Sequence, residues 1–242
     1  MRLPKDTKIL IVDDEPALRK AMIFDFKRKG FQVYEASNGR QAYDIVFREK
    51  VDIVLSDVRM PDGDGVELLE RIKGNETASS VVMFITGFAD LTWAEAYNKG
   101  AEAIFSKPFD RKALMAKVMS FLVDSEERWK MRGENIPDTP LIELDASGEG
   151  QVVQFALGSG GIFLVCSKDL PAIDQIVHFR VRLSTAGERI EGLGIVRWIR
   201  KAASGEISGC GIEFDQLEDH CRASVIKKIA LDKPIAFIPM RN

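Results

Sequence analysis

Along the first half of the chain, apolar residues come in short unbroken runs separated by stretches where they recur every three or four positions. Runs such as Ile9–Val12 and Ile53–Leu55 suit central parallel strands covered on both faces. The segments "PALRKAMIFDFKRKG", "GRQAYDIVFREK", "GVELLERIK", "LTWAEAYNKG" and "RKALMAKVMSFLV" have helical spacing. With "KILIVDD", "QVYEA", "VDIVLSD", "VVMFIT" and "AEAIFSK" as strands, the pattern predicts five strands alternating with five helices. Right-handed crossovers between parallel strands then give an α/β doubly wound, five-stranded parallel sheet.

The pattern changes near residue 124. "DSEERWKMRGENIPDTP" begins as a polar extension of the last helix and ends in Gly133, Pro137 and Pro140, which break helices. The expected organisation is one domain at 1–123, a helical extension and linker at 124–140, and a second domain at 141–242. In the second, "LIELD", "QVVQFAL", "GIFLVC", "QIVHFRVRL", "RIEGLGIVRWIR" and "EISGCGIEF" read as short strands separated by turn residues, which predicts an all-β sandwich or barrel. The run "DQLEDHCRASVIKKIAL" closes it as a helix, with Leu217, Val225, Ile226 and Ile229 as buried positions. Within "HFRVRL", Phe179, Val181 and Leu183 face inward while His178, Arg180 and Arg182 point out. With Arg197, Arg200 and Lys201 they form a candidate basic face for an acidic partner; the alternative is ordinary solvated alternation.

The first-half strands end in chemically useful residues. The first ends in Asp13 and Asp14, the third in Asp57, the fourth in Thr86 and the fifth in Lys107, followed by Pro108. In doubly wound sheets ligands bind beyond the carboxyl ends of the strands, where strand order reverses. Clustered carboxylates repel unless a cation joins them, and oxygen ligands with room for water suit Mg²⁺. Asp57 is then a candidate nucleophile for phosphoryl transfer, with Lys107 pairing the phosphate and the Thr86 hydroxyl donating to it.

With "ILIVDDEP", "LSDVRMPDGDGVELL", "ITGFAD" and "KGAEAIFSKPF", residues 6–123 resemble the receiver domain of two-component response regulators. The resemblance implies a flavodoxin-like strand order, Asp57 as phosphoacceptor, and Mg²⁺ held by Asp13, Asp14, Asp57 and the backbone carbonyl of Arg59. It also implies a cis peptide between Lys107 and Pro108 and a sensor histidine kinase as partner. One position departs from the pattern: Ile104 stands where receivers carry the aromatic residue that reports phosphorylation.

The pieces "ALGSGGIFL", "IVHFRVRL", "GLGIVRWIR", "GCGIEF" and the closing helix make residues 140–231 similar to a PilZ domain, a small β-barrel known for binding cyclic di-GMP. Its ligand motif is incomplete here. With its glycine on Gly161, the Asp/Asn and Ser positions fall on Ala156 and Gly158. The candidate nucleotide-binding residues are therefore Ser159, Gly160 and Gly161 of the turn, with Arg128 and Arg132 as the arginine pair. The turn reads as a barrel turn that kept its glycines and lost its ligand chemistry.

Charge narrows the picture. The chain carries 34 Lys and Arg against 37 Asp and Glu, a formal net charge of −3, and shows no helix-turn-helix pattern, which argues against DNA. No apolar stretch approaches a membrane span and no signal peptide opens the chain, so a cytoplasmic location without membrane insertion is expected. Cys166, Cys210 and Cys221 lack metal-ligand spacing and read as reduced thiols. His178 and His220 offer no catalytic triad, so no enzymatic output is expected. The reading is a response regulator signalling through protein contacts of a PilZ-like domain to an unknown downstream protein, with a homodimer left open. A cyclic di-GMP sensor is the alternative.

Overall fold

The computed structural model describes residues 2–75, 77, 79–87, 91–130, 139–145, 155–165, 170–183, 188–201 and 208–240. They divide into two compact units, one of residues 1–92 and 99–124, the other of residues 93–98 and 125–242.

In the first unit, β1 (Lys8–Val12), β2 (Gln32–Ala36), β3 (Ile53–Ser56), β4 (Val81–Thr86) and β5 (Ala103–Ser106) form a parallel sheet of order β2-β1-β3-β4-β5. Strand order reverses between β1 and β3, the switch point where such sheets bind ligands. Helices α1 (Pro16–Arg28), α2 (Gly39–Glu49), α3 (Gly65–Lys73) and α5 (Arg111–Ser120) connect or follow the strands. Local chemistry starts each. Pro16 occupies the first turn of α1, and Asn38, Asp64 and Asp110 accept backbone N–H bonds from Gln41, Glu67 and Lys112 at the next three helix starts. On one face Ile9, Ile11, Ile53, Leu55, Met83 and Ile85 pack against Met22, Phe26, Leu114 and Val118. The alternate residues Leu10, Val54 and Phe84 are equally buried, as a sheet covered on both faces requires. Each such side chain contributes about 1.5–3 kcal/mol, far more than an exposed ion pair.

The second unit contains α4 (Trp93–Asn98), α6 (Ser125–Arg128), β6 (Leu141–Asp145), β7 (Phe155–Leu157), β8 (Gly161–Val165), β9 (Ile176–Arg182), β10 (Arg189–Arg200), β11 (Gly209–Leu217) and α7 (Asp219–Asp232). Its sheet runs β6-β9-β10-β11-β8-β7, antiparallel except for β6 on β9. Ile142 on one edge strand and Phe155 on the other pack against the same core of Ile162, Val177, Phe179, Val181, Val196, Ile212 and Phe214, so the sheet curls around it. Among the described residues no ladder joins β6 to β7, so this is a half-barrel. Trp129 and Val225 complete the core.

Two sequence expectations need correction. The last receiver helix does not run on through residues 121–130: α5 stops at Ser120 and α6 is separate. The Leu122 carbonyl, which a continuous helix would bond to residue 126, accepts instead from the Arg2 N–H at 2.8 Å. Leu217 is not on the closing helix but ends β11, wholly buried. Of the two readings of the barrel cations, pairing within the unit weighs against a free basic face at two positions. Arg180 donates to Glu191 at 2.7 Å, and Arg197 donates to Glu213 at 2.7 Å and Asp174 at 2.9 Å. Outward alternation itself holds, since Phe179 and Val181 are buried while Arg182 is exposed. Cys210 and Cys221 are buried free thiols; Cys166, Arg132, Gly133 and Pro137 lie outside the described residues.

Candidate functional site

The carboxyl edge of the parallel sheet is level because the ladder continues past the strands. Asp57 N–H donates to the Val12 carbonyl at 2.8 Å, Lys107 N–H to the Thr86 carbonyl at 2.8 Å, and Asp13 N–H to the Ala36 carbonyl at 3.3 Å. Residues far apart in sequence are thereby set side by side. Carboxylate oxygens of Asp13, Asp14 and Asp57 all lie within 4.8 Å of one another, with Asp13 and Asp57 buried and Asp14 exposed. Lys107 Nζ donates to Asp57 Oδ2 at 2.6 Å and Asp13 Oδ2 at 3.0 Å, and sits 3.5 Å from Glu15.

The other Asp57 oxygen, Oδ1, accepts from the N–H groups of Val58 at 2.6 Å and Arg59 at 3.4 Å. Asp13 Oδ1 accepts from Glu15 N–H at 2.8 Å. Burial pushes the Asp13 carboxyl above its usual range, against the opposing pull of the Lys107 hydrogen bond. Burial alone would lower the Lys107 ammonium, but its hydrogen bonds to Asp57 and Asp13 outweigh that and hold it above its ordinary value, so it stays charged. Three carboxylates facing one ammonium form an oxygen-rich donor set that suits a hard divalent cation. Thr86 ends β4, buried; Ile104, at the usual aromatic position, is half-buried in β5. The Lys107–Pro108 peptide is cis.

Two contributors escape a reading of strand ends alone. Arg19 donates to the Asp13 carbonyl at 2.6 Å and to Glu35 at 3.0 Å, anchoring the loop that carries the acidic pair. Gly65 opens α3 against the site: its N–H donates to the Val58 carbonyl at 2.7 Å, and a Cβ there would stand 2.1 Å from the Asp57 carbonyl oxygen. The sequence signal for Gly65 was its place in "PDGDGVELL", directly after a capping aspartate.

The glycine turn of the second unit is arranged differently. Gly158 N–H closes it on the Gly161 carbonyl at 2.8 Å, while Ser159 and Gly160 N–H groups donate to the carbonyls of Ala236 and Phe237 at 2.9 and 3.0 Å. A Cβ on Gly160 would lie 1.8 Å from the Phe237 ring. The glycines thus admit the chain's own C-terminal segment. Arg128 is half-buried over Trp129, at 5.6 Å from the ring centroid, and bonds Ser125.

Known proteins resemble this chain over its first half. The pattern defining the response regulator receiver domain matches residues 9–119. Sporulation initiation phosphotransferase F of Bacillus subtilis is 39% identical over 116 residues, 48% of this chain and 93% of that protein. Transcriptional regulatory protein CrdR of Helicobacter pylori is 34% identical over 118 residues, 48% of this chain and 55% of that protein. A chain from the CheX-CheY-BeF3-Mg²⁺ complex of Borrelia burgdorferi is 28% identical, with 49% of this chain and 91% of that chain covered and a TM-score of 0.46. Identity of this level across nearly the full length of a phosphotransferase places the chain, through residues 9–119, in the response regulator receiver family.

Proposed function

We propose that Asp57 accepts a phosphoryl group from a histidine kinase and that residues 141–242, joined through a linker at 124–140, form a PilZ-like output domain acting by protein contacts. The observation that carries the first part is the Lys107 ammonium held between Asp57 and Asp13. Receiver domains work in phosphorelay signalling with histidine kinases and phosphotransferases and bind Mg²⁺ at such an acidic pocket. Here Asp13, Asp14, Asp57 and the Arg59 carbonyl would hold the ion, which when bound neutralises phosphoryl oxygens.

An Asp57 carboxylate oxygen forms the new bond to phosphorus as the N–P bond of the donor phosphohistidine breaks and its electron pair leaves with the imidazole. The product is an aspartyl phosphate. Lys107 transfers its hydrogen bond from the carboxylate to the phosphoryl oxygens, and the Thr86 hydroxyl donates to the same group. Val58 N–H keeps the carboxylate oriented throughout. Incubation with acetyl phosphate and Mg²⁺ should add one phosphoryl group by intact mass, and none to Asp57→Asn. Labelling that survives the substitution rejects the assignment.

For the second domain, strand order, the curled half-barrel core and the closing helix α7 support the PilZ-like reading. Output through protein contacts is favoured over cyclic di-GMP because the turn's N–H groups already bond the C-terminal segment. Titration of the intact protein with cyclic di-GMP should show no binding. Sub-micromolar affinity abolished by Arg128→Ala would replace this reading with the sensor.

A further inference from the structure

Of the three carboxylates at the sheet edge, Asp14 is the exposed one, and it accepts no hydrogen bond from another described residue. Asp13 and Asp57 are buried, and each is bonded at both carboxylate oxygens. The direction of Asp14 is therefore set by its backbone. The helix that follows does not fix that backbone by the device its neighbours use: α2, α3 and α5 start on capping side chains, whereas α1 starts on Glu15 with none.

Arg19 takes over the task. Its own N–H bonds the Glu15 carbonyl at 3.0 Å, which ties it to α1, and its Nη1 reaches back to the Asp13 carbonyl at 2.6 Å. That oxygen belongs to the peptide joining Asp13 to Asp14. Because a peptide unit is planar, holding its oxygen holds its N–H as well, and with it the direction in which Asp14 leaves the chain. The Arg19 Nε donates to Glu35 Oε2 at 3.0 Å, and Glu35 lies on β2 opposite Ile11 of β1. A guanidinium presents these donors in one rigid fork, so each bond orients the other. The Glu35 side chain is 57% exposed, and an ion pair to so exposed a carboxylate stabilises little. The bond to the Asp13 carbonyl is left as the contact of consequence, and Glu35 cancels a positive charge standing beside the acidic cluster.

We propose that Arg19 is a positioning residue of the metal site: it holds the Asp13–Asp14 peptide so that the Asp14 carboxylate is aimed before a cation arrives, and Glu35 keeps its charge from opposing that cation. The proposal rests on the reading of Asp13, Asp14 and Asp57 as the donors for Mg²⁺. Donors held in place need no ordering when the ion binds.

Calorimetric titration of the intact protein with Mg²⁺ tests this in Arg19→Met, which keeps an unbranched stem and removes every donor. Affinity should fall about tenfold, the lower end of what losing an outer partner of a metal site costs. Arg19→Lys, which restores one donor, should recover most of it. Undiminished affinity in Arg19→Met overturns the proposal. So does an Arg19→Lys protein as weak as Arg19→Met, since a loss that a donor cannot restore is not the loss of this hydrogen bond. Hydrogen exchange of the metal-free protein gives a second reading: peptides covering 13–15 should exchange faster in Arg19→Met while β1 and β3 keep their protection, and equal exchange at 13–15 overturns the proposal. Should Arg19→Met unfold the first unit, Glu35→Gln decides by the same titration. Weaker binding that approaches wild type as salt screens the uncovered guanidinium supports the proposal, and wild-type binding at every salt concentration overturns it. Wild type that takes up no Mg²⁺ refutes the metal reading and the proposal with it, whereas wild-type uptake matched by Arg19→Met refutes the proposal alone.

Discussion

The edge of the parallel sheet and the glycine turn of the second unit are both loops that suggest a ligand, and they differ in what their polar groups already hold. At the sheet edge, three carboxylates cluster and one ammonium bonds two of them, a charge arrangement that an incoming cation and phosphoryl group would complete. At the turn, two N–H groups that could cradle a phosphate are bonded to the chain's own carbonyls, and the space left by glycine is filled by Phe237. Glycines mark close approach without saying what approaches. Convergent charge is the stronger sign of an external ligand, because burying it uncompensated is costly.

The comparison breaks most readily at the carboxylates. Asp14→Ala and Asp13→Asn should each weaken Mg²⁺ binding by more than the roughly 10–100-fold typical of losing an outer-shell partner. Calorimetric titration of the intact protein reads this directly. Wild-type affinity in both variants would show that the edge is not a metal site.

A smaller effect tests the turn. Gly160→Ala places a methyl group into the Phe237 ring and should destabilise the second unit by about 1–3 kcal/mol, as overpacking does. Gly87→Ala, whose Cβ would come no closer than 4.0 Å to the Lys107 side chain, should stay within about 0.5 kcal/mol. Thermal melts of the two variants measure the contrast. Equal stability would mean that the C-terminal segment does not occupy the turn.

The first unit was legible because each line of its chemistry sits at a strand end, where hydrophobic periodicity and residue type coincide. Asp13, Asp57, Thr86 and Lys107 needed only the correct strand boundaries to be brought together. The second unit was legible as strands but not as a surface. Arg180 looked like a free cation because its partner, Glu191, faces it through cross-strand register, which alternation does not reveal. Arg197 finds Glu213 beside an irregularity between Val196 and Trp198. The segment "PIAFIPM" has neither helical nor strand period, so nothing in the pattern told that it packs on glycines. Nor does the pattern reveal that the Leu122 carbonyl, between α5 and α6, accepts from Arg2, far away in sequence.

The smallest expected effect concerns acid, and it sets two buried glutamates in opposition. In the first unit, burial raises the Glu102 carboxyl despite the Lys73 ammonium beside it. In the second, burial would raise Glu191, but Arg180, Arg189 and His178 outweigh it and hold it below the usual carboxylate range. A carboxyl whose pKa is lowered by folding contributes stability above its unfolded value, roughly 4.3, and that contribution is lost as pH falls through the lower folded value. A carboxyl raised by folding has the opposite sign, since the folded state takes up its proton first. Acidification should therefore withdraw Glu191's support from the second unit while Glu102 pulls the first unit the other way. Glu191→Gln should lower the melting temperature of the second unit at neutral pH and flatten its decline below about pH 4. A parallel decline in wild type and variant would show that the arginines around Glu191 are solvated neighbours, not its counter-charges.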